Sequence, residues 1–72
     1  MKIQDDILKK WKDLRSYGDN RKIAEANPGV IEMDVTRAFR RGECSDTVFV
    51  AMAGFYKERE EKVNTALKEP QN

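Results

Sequence analysis

Histidine occurs nowhere in the 72 residues, and cysteine occurs once. The first absence removes the usual general base, the usual partner of a nucleophilic side chain and the commonest metal ligand. The second excludes an intrachain disulfide framework and a cysteine-built zinc site. So little chemistry is left that an enzyme is not expected, nor a cofactor, a metal or a small-molecule substrate. No apolar run approaches the ~20 residues of a membrane span, so no membrane partner is expected either. Met1 to Ile7 carries Asp5 and Asp6, unlike a signal peptide. With the free thiol of Cys44, this points to a reducing cytoplasm. No stretch alternates apolar and polar residues over a useful length, which leaves no strand to predict.

What the chain does have is charge, unevenly spread around a net of +1. Between Lys9 and Arg41 nine basic residues face five acids, a local excess of four; from Gly42 onward four basic residues face six acids. A basic front and an acidic tail form a polarity that a polyanion can use.

Helical spacing accounts for almost everything else. Ile3, Ile7, Leu8, Trp11 and Leu14 form one apolar stripe, predicting a first helix over about Gln4 to Ser16, with Trp11 as its core anchor. Asp5 and Asp6 suit its N-terminus and Arg15 its C-terminus. Asp19 reads as the N-cap of a short second helix, Asn20 to Ala26. Asn27, Pro28 and Gly29 end that helix, because proline lacks a donor and glycine turns freely. A third helix, roughly Ile31 to Arg41, turns Val35, Ala38 and Phe39 inward and stops at Gly42. Ser45 and Asp46 cap a long fourth helix that Pro70 ends. Its first part is apolar on two faces, so it is buried on two sides. The expected fold is therefore all-α: a small four-helix domain over residues 1–58, then a charged extension of the last helix over 59–72. The expected core is Trp11, Ile23, Val35, Phe39, Val48, Met52 and Phe55.

Short helix, tight turn, helix and stop, over residues 19 to 42, is how a helix-turn-helix is written. On Ile23-Ala24, the turn glycine Gly29, Val35, Ala38-Phe39 and the basic end Arg40-Arg41-Gly42, the chain resembles the lambda-repressor-like helix-turn-helix family, over roughly residues 4 to 56. The segment SDTVFVAMAGFYKE resembles the capped helix that completes the family's core. Three features differ from the family pattern. The spacing from Ala24 to Gly29 is one residue longer, Ile31 stands where a capping Ser or Thr is usual, and Glu32 and Asp34 put two acids in the third helix's first turn.

The resemblance implies a duplex-DNA-binding transcriptional regulator of bacterial or phage type, cytoplasmic and nucleoid-associated, reading the major groove with the helix at about 31–41. Base-facing positions would be Glu32, Met33, Thr36 and Arg37. Phosphate-facing positions would be Asn20 with Arg21, and Arg40 with Arg41. Glu32 repels phosphate but can accept from cytosine N4. Tyr56, Val63, Ala66 and Leu67 lie on a heptad-like seam beyond the expected core, and on that ground a homodimer through this segment is expected. The other reading is a helical protein-interaction module that kept the fold while its acidic recognition face lost DNA. Salt separates the two, since phosphate binding weakens steeply with it.

Overall fold

The computed structural model describes residues 1–68, arranged as four helices: α1 (Asp5–Leu14), α2 (Asp19–Ala26), α3 (Glu32–Arg41) and α4 (Asp46–Lys68). The expected stop at Pro70 lies outside the described residues. The chain is a small all-α domain with a long C-terminal helix, and among the described residues no helix is long and apolar enough to cross a membrane.

Helix α1 starts later than its apolar stripe suggests. Ile3 is buried, but in extended backbone: its N–H donates to the Gly42 carbonyl at 2.8 Å, and the Cys44 N–H donates to the Met1 carbonyl at 2.9 Å. The first residues therefore lie antiparallel to the segment joining α3 and α4, with an isolated bridge between Lys2 and Glu43. Gly42 takes φ 70°, the left-handed C-cap, and its N–H returns to the Ala38 carbonyl. Ser45 caps α4 as expected, its Oγ accepting the Val48 N–H at 3.3 Å.

The turn between α2 and α3 closes in a defined way. The Val30 N–H donates to the Asn27 carbonyl at 3.0 Å, with Pro28 and Gly29 between them and Gly29 at φ 93°. That is the residue pattern of a type II turn, which needs positive φ at its third position. The Asn27 amide also closes α2 by donating to the Ile23 carbonyl at 2.8 Å. At the start of α3 the uncappable Ile31 is served from the other direction: its N–H donates to the Asp34 carboxylate at 3.1 Å.

The core gathers Trp11, Ile23, Val35, Phe39, Val48 and Met52, as expected, with Phe55 only partly buried against them. It also takes in Ile3, Val30, Ala38, Ala51 and Tyr56. Tyr56 corrects the sequence reading. It is 1 % exposed, stacked on Trp11 at 5.9 Å and edge-on to Phe39 and Phe55, so it cannot belong to a surface seam with Val63, Ala66 and Leu67. The seam's spacing was right for a helix face. The face itself turns inward where α1 and α2 reach it.

Asp19 is the second correction. It is the first residue of α2, not its cap, and it is 1 % exposed. Its Oδ1 accepts from Arg59 Nη2 at 2.8 Å, while Oδ2 accepts from Arg59 Nη1, from the Ser16 N–H at 2.7 Å and from the Tyr56 hydroxyl at 3.3 Å. Arg59 Nη1 also donates to the Leu14 carbonyl at 3.1 Å, which closes the end of α1. A bidentate arginine with every carboxylate oxygen satisfied is the geometry in which a buried ion pair holds. Burial pushes the Asp19 carboxyl up, but the bonds from Arg59 and Ser16 and the Arg59 charge outweigh it and hold the group below its ordinary value. Arg59, placed by sequence in a solvated extension, thus belongs to the folded unit, and the boundary at 58/59 falls inside its anchorage.

Candidate nucleic-acid interface

Helix α3 buries Val35, Ala38 and Phe39 and turns the opposite side to solvent. At 100° per residue the centre of that outer side is Met33, Arg37 and Arg40, with Arg41 on one flank and Thr36 on the other. Met33 is 50 % exposed, and Glu32, Arg37, Arg40 and Arg41 are all exposed. Among the described residues, none of Arg21, Arg37, Arg40 and Arg41 is paired with a carboxylate. These cations are therefore not committed to holding the fold.

The other expected contact residues are placed differently. Asn20 and Thr36 are both half-buried and turned onto each other, the Asn20 amide donating to Thr36 Oγ1 at 3.0 Å. The Thr36 hydroxyl donates onward to the Glu32 carbonyl at 3.2 Å. This pair locks α2 against α3, and neither group stands free at the surface. The Asn20 Oδ1 is buried with no partner. Of the two acids at the head of α3, Asp34 is half-buried with one carboxylate oxygen accepting the Ile31 N–H, and Glu32 is exposed.

Two grooves flank this outer side. One, of about 510 Å³, runs between α3 and the start of α4 and is lined by Asp34, Arg37, Arg41, Glu43 and Ser45 among others. The second, of about 680 Å³, lies where the end of α1 meets the heads of α2 and α3, and is lined by Lys12, Arg15, Asn20, Arg21 and Glu32 among others. Lys12 and Arg15 were not among the sequence candidates. Lys12 lies in the last turn of α1 and Arg15 just after it, a spacing that reads as an ordinary solvated face, and the fold gathers both with Arg21 along one groove. The Arg15 guanidinium lies over the Phe39 ring at 4.3 Å, which holds its charged head against the edge of the core while the residue stays exposed.

Cys44 stands in the α3–α4 connection with its thiol pushed up by burial, the opposite of what a reactive cysteine needs. Among the described residues no cluster of acidic, cysteine or histidine side chains has the arrangement to hold a metal ion. No family model matches the chain, and no curated protein or solved structure matches it either.

Proposed function

We propose that this chain binds duplex DNA through α3 and acts as a sequence-specific transcriptional regulator. The observation that carries the reading is the outer side of α3: Arg37, Arg40 and Arg41 exposed around Met33 and free of intramolecular ion pairs among the described residues. Arginine in that setting suits bidentate contact with guanine or phosphate, and the methionine suits apolar contact with a thymine methyl. Arg37, central on the face, is assigned to base edges. Arg40, Arg41 and Arg21 are assigned to phosphates, and Lys12 and Arg15 extend the basic surface past the head of α2. Glu32 and Asp34 both carry negative charge at the head of α3 and are the source of repulsion toward the backbone.

A second reading, a protein-interaction module, draws on Ile31 and Met33, both exposed beside Glu32 at the head of α3. Fluorescence anisotropy with mixed-sequence duplex at two salt concentrations separates the two. Counterion release makes log K fall with log salt at about 0.9 per neutralised phosphate. Four to six contacts would give a slope of about −4 to −5. Absence of binding at low salt removes the DNA reading in favour of the interaction module.

One α3 reaches only a few base pairs, so the reading includes a homodimer on two half-sites about 34–36 Å apart. With Tyr56 in the core, the tail keeps Val63, Ala66 and Leu67 as its exposed small or apolar side chains, a thin seam for that purpose.

A further inference from the structure

Tyr17, in the connection between α1 and α2, is the one aromatic among the large apolar side chains that the described residues leave exposed, and its exposure is complete. A ring so placed adds nothing to the core, yet its backbone is held on both sides. The Asp19 N–H donates to the Ser16 carbonyl at 3.2 Å, and the Ser16 N–H donates to the Asp19 carboxylate at 2.7 Å. Between them Gly18, at φ 87° and ψ −4°, takes the third position of a type II turn. The turn is anchored by the buried Asp19, itself gripped by Arg59. Tyr17 is therefore displayed from a fixed turn, and ordering it against a partner costs little entropy. The turn lies along the groove of about 680 Å³ where α1, α2 and α3 meet, together with Lys12, Arg15 and Arg21. Among the described residues none of these three cations is in an ion pair, and the Asp19 carboxylate is taken up by Arg59, so Glu32 is the acid that opposes them. An exposed aromatic among unpaired cations suits a polyanion that also offers a surface to pack on, which is the chemistry of nucleic acid.

The groove borders α3 on the flank of Thr36. The Asn20 amide donates to Thr36 Oγ1 at 3.0 Å, which fixes the head of α2 against that flank, and Glu32 lies on the same flank by helical spacing. Arg41 lies on the other. A helix about 10–12 Å across fills a major groove about 12 Å wide, so each flank of α3 meets one of the two strands that wall it. We infer that Tyr17 clamps the sugar–phosphate backbone of the strand on the Thr36 side, its ring against a deoxyribose and its hydroxyl donating to a phosphate, with Lys12 and Arg15 on neighbouring phosphates. Single-stranded nucleic acid fits less well, because such sites stack successive bases on several aromatics and here there is one. The clamp rests on the duplex-DNA reading of α3. It adds a residue that reads no sequence and sets how firmly the helix is seated.

The test is fluorescence anisotropy of the full chain with a mixed-sequence duplex, and with one of its strands alone, at two salt concentrations. Tyr17→Ala is expected to weaken duplex binding roughly tenfold, as for loss of a hydrogen bond to a charged group, with the salt slope unchanged because no charge is removed. Tyr17→Phe keeps the ring contact without the phosphate bond and falls between the two. Lys12→Ala lowers the slope by about one. Circular dichroism and melting of Tyr17→Ala match the parent, since the exposed ring holds nothing in place. Unchanged duplex affinity in Tyr17→Ala, or an unchanged slope in Lys12→Ala, overturns the clamp; if Arg40→Ala still weakens binding, the DNA reading stands without it. No duplex binding by the parent at low salt removes both. A larger loss on the single strand than on the duplex also overturns the clamp and assigns Tyr17 to base stacking.

Discussion

Replacing Arg59 by alanine should be the most damaging polar substitution in the molecule. It leaves the Asp19 carboxylate 1 % exposed, with only the Ser16 N–H and the Tyr56 hydroxyl, and it leaves the Leu14 carbonyl without its donor. Removing one partner of a buried pair costs about 3–5 kcal/mol. A domain of this length has roughly 4–11 kcal/mol in total, at about 0.05–0.15 per residue. At about 4–8 °C per kcal/mol, melting should fall by at least about 12 °C. The pH profile distinguishes this from a loss of packing. In the parent, the lowered Asp19 pKa contributes stability that is present above the unfolded value near ~3.9 and lost as pH falls through the folded value. In Arg59→Ala the bonds and charge of Arg59 that lower the carboxyl are gone, so the group titrates higher than in the parent and less stability is lost on mild acidification. Asp19→Asn added to Arg59→Ala should also recover part of the loss. Urea unfolding followed by circular dichroism across pH 3 to 7 reads all three. A cost under about 1 kcal/mol, the value of an exposed pair, would refute the argument, as would parallel pH profiles for parent and variant.

Trp11→Ala removes an aromatic packed on Phe49 and Tyr56, and should cost about 3–5 kcal/mol, a large share of the domain's stability, lowering the melting temperature by at least about 12 °C; calorimetry checks it. Burial and the Asp19 charge push Tyr56 up to about 12. Its contribution is full below the unfolded value near ~10 and is lost as pH rises through about 12, so Tyr56→Phe should flatten the alkaline limb of the stability profile. On DNA, Arg40→Ala should weaken binding to all sequences alike and lower the salt slope by about one. Arg37→Ala should cost about 1–3 kcal/mol on the preferred site only. Equal losses for both arginines on specific and random duplex would take Arg37 off the base edges.

Local chemistry was legible in the sequence; partners distant along the chain were not. The helices fall within one or two residues of the boundaries that apolar spacing gives, because each boundary is set by nearby residues: Gly42 with its left-handed backbone, Ser45 with its capping hydroxyl, and Asn27 to Gly29 with the turn. Asp19 misled because an aspartate before a helix is the commonest sign of a cap, and nothing nearby reveals that its partner is Arg59. Tyr56 misled for a related reason, since a helix apolar on two faces does not say where along its length the neighbours stop. Ile3 kept the stripe's spacing while leaving the helix, held by a strand-like pairing with residues far ahead of it. For the interface, exposure of the three arginines followed from the periodicity of α3. The mutual bond of Asn20 and Thr36 did not, because it depends on how α2 crosses α3.

The Asp19–Arg59 pair has a kinetic consequence. It joins residues 40 apart and, through the Leu14 carbonyl, residues 45 apart, whereas the Asn20–Thr36 bond between α2 and α3 joins residues only 16 apart. Closing the longer loops costs more entropy, so the α2–α3 unit is expected to assemble first, with the grip of Arg59 completed after the transition state. Interactions made that late scarcely affect how fast a chain refolds and govern how slowly it comes apart. In stopped-flow experiments a substitution at Arg59 should therefore steepen escape from the native state while the refolding arm of the chevron hardly moves, making this one side chain the latch on the molecule's lifetime.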